Sequence, residues 1–396
     1  MTFASTPAGT LAVRHATSLA AVDRAAWDRL DHGGAPFWRW GVVVAAEQTR
    51  TFGEHVGALP HVLVVEDGAG HVVGGALAYL KFHSYGEFVF DFAWADLAFR
   101  ARLPYYPKLV VAAYATPATG PRLLVAPDAD DDLRARVQDA LVGALVDLAR
   151  DAGASGIHVL FHPGSETSVW ARHGFFERLG VQFHFEAGDL RTFDDYLARL
   201  SSRKRKNVRK ERRRAREAVD EIVWRTGAEL TDEELDAMDR FYRNTVEERG
   251  GNAYFPREYF RQLARLDPAV LEVVFARERG LPAAGALYMG SNTAMFGRYW
   301  GADRFVDALH FELACYQGIE RLLATGRRRL EAGAQGIHKL LRGYVPRLTR
   351  SSHLLFDRRL HEALRRATRA EAAAVEERVD ELAGLLPYRR DGAPSA

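Results

Sequence analysis

Displaced by 210 residues, the chain lies over itself: Val65 meets Phe275, Gly70 meets Gly280, and Gly75-Ala76-Leu77 meets Gly285-Ala286-Leu287 without a gap. Each copy reads as a strand, a tight turn at the glycine and a second strand. Both copies then run into aromatic segments read as strands ending in Ala-Asp, at Ala95-Asp96 and at Ala302-Asp303, the second arriving three residues sooner. A helix and a further strand follow. In the first copy Leu133, Val137, Leu141, Leu145 and Leu148 recur at helical spacing, predicting a helix over Asp131 to Ala152 before a strand over Ile157 to Phe161. The second copy predicts a helix over Ala308 to Thr325 and a strand over Leu330 to Ala332. A hairpin, strand, helix and strand written twice call for an α/β (α+β) fold of two tandem domains, each a mixed sheet flanked by helices. The expected partition is a first domain over 1–190, a basic connecting helix over 191–222, and a second domain over 223–396 closing in an amphipathic helix.

With 396 residues, 47% of them hydrophobic, the chain is long enough to bury two cores. Its one cysteine, Cys315, excludes a disulfide framework and a cysteine-built zinc site. A basic start followed by an apolar stretch is missing, as is any run of about 18 apolar residues, so the expected location is the cytoplasm without a membrane span. Charge is the second constraint. Residues 203–216 hold ten basic residues and one acid, a local +9 in a chain of net +2, which leaves −7 elsewhere. A helix is predicted to start at Phe193 and to continue through this run to Val219, with Val208, Ala215 and Val219 as a thin apolar stripe. Like charges three and four apart oppose a helix unless an anion offsets them. Arg203, Lys204, Arg205, Lys206, Arg209, Lys210, Arg212 and Arg213 are therefore candidate contacts to tRNA or other phosphates. A solvated connector is the alternative reading.

No GxxxxGK[ST] loop, GxGxxG turn, GxSxG elbow or HExxH helix occurs, which removes ATP, nicotinamide and hydrolase readings. His158 and His162 share a strand face with no carboxylate pair beside them, so no metal site is expected. Acyl transfer to an amine fits such a chain. It requires a proton acceptor and main-chain N–H groups for the carbonyl oxygen, and no nucleophilic side chain. Period-two alternation over 85–91 puts Glu87 and Asp91 on one strand face, and Lys108 and Arg122 lie in polar-aromatic segments of the same half. The second half offers Arg298, Tyr299, His310, Glu312, Gln335, Arg342 and Tyr344 as further substrate-binding candidates. Glu331, His338 and Lys339 form the candidate catalytic cluster: Glu331 or His338 to accept the amine proton, Arg298 and Tyr299 to orient the acyl group.

The phrases FDFAWAD (90–96), YYPKLV (105–110), TPATGPRLL (116–124), GVQFHF (180–185), LSSRKRKNVRKERR (200–213), GRYWGA (297–302), LHFELACYQGIE (309–320) and EAGAQGIHKLLRGY (331–344) stand in this order. Through them the chain resembles the FemAB-like N-acyltransferases, relatives of the Fem peptidoglycan aminoacyl transferases within the GNAT superfamily. The resemblance implies two GNAT-like domains and an acyl or aminoacyl transferase. It departs at Ile337, where an acidic residue is usual, and at Leu341, where a small one is, which implies a specialised, more apolar substrate.

A CoA pyrophosphate needs amides and positive charge between strand and helix. The first copy has four aspartates within Ala126–Asp132, and the second has Asp303 and Asp307. No permanently bound cofactor is expected. Aminoacyl-tRNA, which the Fem relatives use, is the expected co-substrate, with a small-molecule amine as acceptor. Acyl-CoA or a carrier thioester is the alternative donor, and a non-catalytic nucleic-acid or membrane-surface binder the third reading.

Overall fold

The structure is a computed structural model that describes residues 10–333 and 336–389. Two compact units emerge: Met1–Gly180 with Thr349–Val375, and Val181–Leu348 with Glu376–Ala396. The basic helix therefore belongs inside the second unit instead of forming a connector, and residues 349–375 belong to the first.

In the first unit β1 (Ala12–Ala16), β2 (Ala58–Glu66), β3 (Val72–Lys81) and β4 (Lys108–Val111) pair antiparallel in succession. The short β5 (Leu124–Val125) adds to β3, and β6 (Gly156–His162) lies parallel to β4. Helix Asp131–Asp151 starts where the Asp130 carboxylate accepts from Leu133 N–H. Its Val137, Leu141 and Leu145 pack in one core with Val65, Ala76, Leu109 and Val159. This is the face that the leucine spacing predicts. β7 (Phe176–Glu186) then carries the chain into the second unit.

There β8 (Glu221–Thr226), β9 (Leu271–Glu278), β10 (Leu281–Gly290) and β11 (Ala294–Ala302) repeat the antiparallel succession. β12 (Arg329–Glu331) lies parallel to β11 and antiparallel to β7. Three antiparallel steps and one parallel step in both units confirm the duplication. Gly70 (φ 82°) and Gly280 (φ 79°) turn the two equivalent hairpins in a left-handed conformation open to glycine, which is why the repeat keeps them. β13 (Val345–Leu355) brings the chain back, its last residues pairing antiparallel with β6.

Three local expectations fail, and a fourth, the helix over Ala308 to Thr325, stands in an irregular form. Residues 85–91 do not form a strand: β3 ends at Lys81 and Phe88 adopts φ 59°, turning the chain so that buried carboxylates, not alternation, set the facing. Ala95-Asp96 lies in helix Phe92–Arg100. The helix from Phe193 breaks into Phe193–Arg199 and Ser202–Glu217, because Leu200 is extended and bridges to Tyr388. The helix after β11 is also irregular, running as Leu309–Phe311, a π-helical turn over Glu312–Tyr316, and Gln317–Ala324.

Candidate active site

β12 stops at Glu331, opposite Phe296, while β11 continues to Ala302, so the two parallel strands part at that point. A parted strand offers main-chain N–H groups that an acyl oxygen can meet. At the same place Leu287 pairs with Tyr299 and Tyr288 with Gly297, leaving Arg298 as the extra residue of a bulge. Bulges re-aim side chains and are common beside active sites. Arg298 stacks over the Tyr299 ring at 5.3 Å, and that ring packs against Tyr242 (4.4 Å), Phe260 (5.7 Å) and Phe255 (5.9 Å). Helix Asp232–Glu248 braces the outer end of β11: Thr245 Oγ1 donates to Trp300 O (2.7 Å) and Asn244 Nδ2 to Ala302 O (3.2 Å). Gly301 permits this approach, since a Cβ there would lie 1.9 Å from Phe241 O.

Beyond the parting, Lys339 Nζ donates to Gly333 O (3.1 Å), and a Cβ at Gly333 would stand 4.0 Å from Gly297 O. Burial pushes the Lys339 amine down to about 8. His338 is pushed down to about 4 by burial, with Lys339 and Arg342 adding to the shift, and His310 to about 4 by burial, with His338 and Arg249 adding. Both imidazoles are thus neutral at pH 7, and Lys339 is the base whose strength lies nearest the working range. The His310 and His338 rings sit 5.7 Å apart, with Phe311 5.7 Å from His338 and Trp300 5.0 Å from His310. Arg342 lies 3.3 Å from the centre of the Phe311 ring and donates to His338 O (3.0 Å). His310, His338 and Arg342 therefore form one cluster with Trp300 and Phe311, Lys339 follows at Gly333, and Arg298 and Tyr299 belong to the neighbouring Tyr242–Phe255–Phe260 group. Trp300, Phe311, Tyr242 and Phe255 are partners that sequence reasoning missed. GRYWGA and LHFELAC contained the first two without distinguishing them from core aromatics.

Glu331 is buried at the end of β12 between Arg329 (Nε to Oε1, 3.1 Å) and His184 (Nε2 to Oε2, 3.8 Å). His184 is pushed down to about 3 by burial, with Arg329 adding. This places the Glu331 carboxylate at the end of β12, beside Arg329 and His184. Tyr344 is fully buried, its hydroxyl 3.5 Å from Cys315 O. Glu312 is fully buried too, and accepts from Arg212 Nε (3.1 Å), Arg216 Nε (3.0 Å) and Gln317 Nε2 (2.9 Å). These two fix the irregular helix instead of meeting substrate. Gln335 lies outside the described residues.

The basic helix divides into two halves. Arg203, Lys204, Arg205, Lys206, Arg209 and Lys210 have no acidic partner among the described residues, and all but Lys204 and Arg205 are exposed. In the other half Arg212 binds Glu312 and Glu320 (2.5 Å) and covers the Phe193 ring at 4.0 Å. Arg214 pairs with Asp307 (3.1 Å), and Arg213 stays exposed beside Glu217 (3.9 Å). Arg212 is thus structural.

In the first unit Glu87, Asp91 and Lys108 do converge, but in the interior. Lys108 Nζ donates to Glu87 Oε2 (2.8 Å), to Ser84 Oγ (2.8 Å) and to Asp91, while Lys81 Nζ holds Glu87 Oε1 (2.9 Å). Tyr105 OH donates to Asp91 Oδ2 (2.6 Å). Burial would raise the Asp91 carboxyl, but Lys108, His158 and the hydrogen bonds from Lys108 and Ser84 together hold it low. Lys108 is 0% exposed, so this network ties the 82–91 loop to β4 and meets no ligand directly. Arg122 is equally enclosed: Nε donates to Leu160 O (2.6 Å), Nη1 to Gly120 O (2.7 Å) and Nη2 to Ala118 O (2.8 Å), under Trp38 at 4.4 Å. His158 and His162 are spent on His353 Nδ1 (2.9 Å) and Ser352 Oγ (2.8 Å). Among the described residues no group of three His, Cys, Asp or Glu could hold a metal, and no helix is long and apolar enough to cross a membrane.

The fold is shared with solved structures. FemX is 11% identical over 86% of this chain and 97% of its own, with a TM-score of 0.53. A conserved protein of unknown function from Bacteroides thetaiotaomicron is 12% identical over 87% and 100%, at 0.51. A tandem GNAT protein from the clavulanic acid biosynthesis pathway is 13% identical over 87% and 98%, at 0.45. No curated protein matches the chain. The FemAB-like family, described as peptidoglycan biosynthesis/recognition, matches residues 18–390. With that match spanning both units, the protein belongs to the FemAB-like family.

Proposed function

We propose that this protein moves an aminoacyl group from aminoacyl-tRNA to an amine, using the parted strands of the second unit. The amine nitrogen attacks the ester carbonyl, the C–N bond forms, the ester C–O bond breaks, and the terminal ribose oxygen of the tRNA leaves with a proton. Lys339 in its neutral form takes the proton released by the amine and returns it to the departing ribose oxygen, Arg298 and Tyr299 orient the acyl group, and the neutral His310 and His338 line the approach.

The observation that carries the reading is the set of six cations on one half of the basic helix that have no acidic partner among the described residues, while its other half grips Glu312 on the element bearing His310. Unpaired cations at a helix start are costly against the helix dipole and find their offset in a polyanion. A CoA pyrophosphate has less to hold it. Asp130 already caps the helix after β5, and Asp303 and Asp307 flank the second helix start, paired with Arg240 (2.9 Å) and Arg214. The family description favours a cell-wall precursor amine as acceptor, and the exposed Ile337 and Leu341 beside His338 and Lys339 favour one with an apolar portion.

The test offers radiolabelled amino acids charged on total tRNA, and separately labelled acetyl-CoA, to one pool of cell amines. Label moving from tRNA alone is the expected result; label moving from CoA alone overturns the donor assignment in favour of a thioester.

A further inference from the structure

The basic run contains a single acid, Glu211, and it faces the site. Its Oε2 accepts from Arg342 Nη2 (2.8 Å) and from Tyr316 OH (2.5 Å). Arg342 in turn donates to His338 O and lies flat on Phe311, the ring beside His338. Tyr316 closes the π-helical turn whose first residue, Glu312, is held by Arg212 from the next position of the same basic helix. Two adjacent residues of one helix, Glu211 and Arg212, therefore grasp both segments that carry the imidazoles. Irregular helical turns such as this one recur at functional sites because their backbone accommodates small shifts.

We propose that Glu211 is a positioning residue: through Arg342 it couples the anion-binding half of the basic helix to the Ile337–Arg342 turn, so that engaging a polyanion sets the placement of His338 and Lys339. The Arg342 guanidinium is buried and Glu211 only a third exposed, so the pair is shielded enough to transmit a shift of the helix. Glu211 touches no reacting atom. Its effect belongs in turnover rather than in donor affinity.

This inference rests on the tRNA-donor reading, and the experiment separates the two. Glu211→Gln, which keeps an acceptor for Arg342 but removes the charge, and Glu211→Ala are compared with a triple variant Arg205→Gln, Arg209→Gln, Lys210→Gln. With charged tRNA as donor, the Glu211 variants are expected to lower kcat by about tenfold, Glu211→Ala more than Glu211→Gln, with KM for tRNA changed by less than about twofold. The triple variant is expected to do the reverse. A Glu211 variant that raises KM and spares kcat overturns the proposal. Should the wild type transfer nothing from tRNA, the donor reading fails, and acylation of Lys339 by an amine-reactive ester, read by mass spectrometry with and without added tRNA, decides. A several-fold tRNA-dependent change in wild type that vanishes in Glu211→Gln supports the coupling. Equal behaviour of the two chains ends it.

Discussion

Lys339 sets the pH behaviour expected of the reaction. Burial lowers its amine from the usual lysine range to about 8, so the proton-accepting neutral form rises as pH climbs through that value. Between pH 7 and pH 9 the single-turnover rate should increase about tenfold and then level, after subtraction of the spontaneous ester hydrolysis. His338 and His310, already neutral above about 4, add no limb in this window. Lys339→Met should remove the limb with most of the activity; a profile that stays flat in wild type excludes Lys339 as the base. Arg122 illustrates the opposite case. Its guanidinium meets main-chain carbonyls in a closed interior, so Arg122→Met strands those acceptors and should destabilise the first unit by about 3 kcal/mol or more, read as a lower melting temperature. Nothing in the residue type distinguishes Arg122 from Arg298: a guanidinium enclosed by carbonyls and one on a strand bulge are the same letter. What could be read was the neighbourhood, in that Glu331, His338 and Lys339 fall within nine residues of one another. That Glu331 meets Arg329 and His184 while His338 meets His310 and Phe311 depends on where β12 stops, which no local pattern records.

Elements were legible where periodicity was strong. The leucine spacing of Asp131–Asp151 and the glycine-turned hairpins stand as expected, because apolar facing and a left-handed turn leave direct marks on the sequence. The break at Leu200 left no such mark, since it comes from a bridge to Tyr388, nearly two hundred residues away. The basic run was legible as charge but not as two halves, since Arg212 and Arg209 differ only in what the folded chain sets against them. That difference is measurable. Neutralising Arg205, Arg209 and Lys210 should reduce the slope of log Kd for tRNA against log salt by about two to three while sparing the melting temperature. Arg212→Gln should do the converse, leaving the slope nearly unchanged and destabilising the second unit by about 3 kcal/mol, because Glu312 is then buried with one of its cations gone. The parted strands admit a similar test. A Cβ at Gly297 would make only ordinary contacts, 3.5 Å from Tyr288 and 3.6 Å from Ala332, so Gly297→Val should fold. Its methyls would fill the space beside Glu331 O and Gly333, and transfer should fall by about a hundredfold.

At the scale of the whole molecule, duplication poses the question of how many donors one chain serves. The repeat predicts two equivalent openings, since both units place a parallel strand after three antiparallel steps. The units do not treat the opening alike. In the first, β4 and β6 pair over Leu109–Val111 and Ile157–Val159, and the groups just beyond are already taken: Leu160 O by Arg122 Nε (2.6 Å) and Phe161 O by Gly120 N–H (3.2 Å). The loop 116–122 thus closes the first unit's strand ends, whereas beside Gly297 in the second a Cβ would meet only Tyr288, Ala332 and Glu331 O at ordinary distances among the described residues. The cations are unequal too, since the basic run belongs wholly to the second unit. A stable amide-linked analogue of aminoacyl-tRNA should therefore bind with one equivalent per chain in an equilibrium titration, and Gly297→Val should weaken that single binding event through the aminoacyl end while leaving uncharged tRNA binding intact. A second equivalent of similar affinity would mean that the 116–122 loop moves aside, and Arg122 would then have to be reassigned from a core residue to a gate.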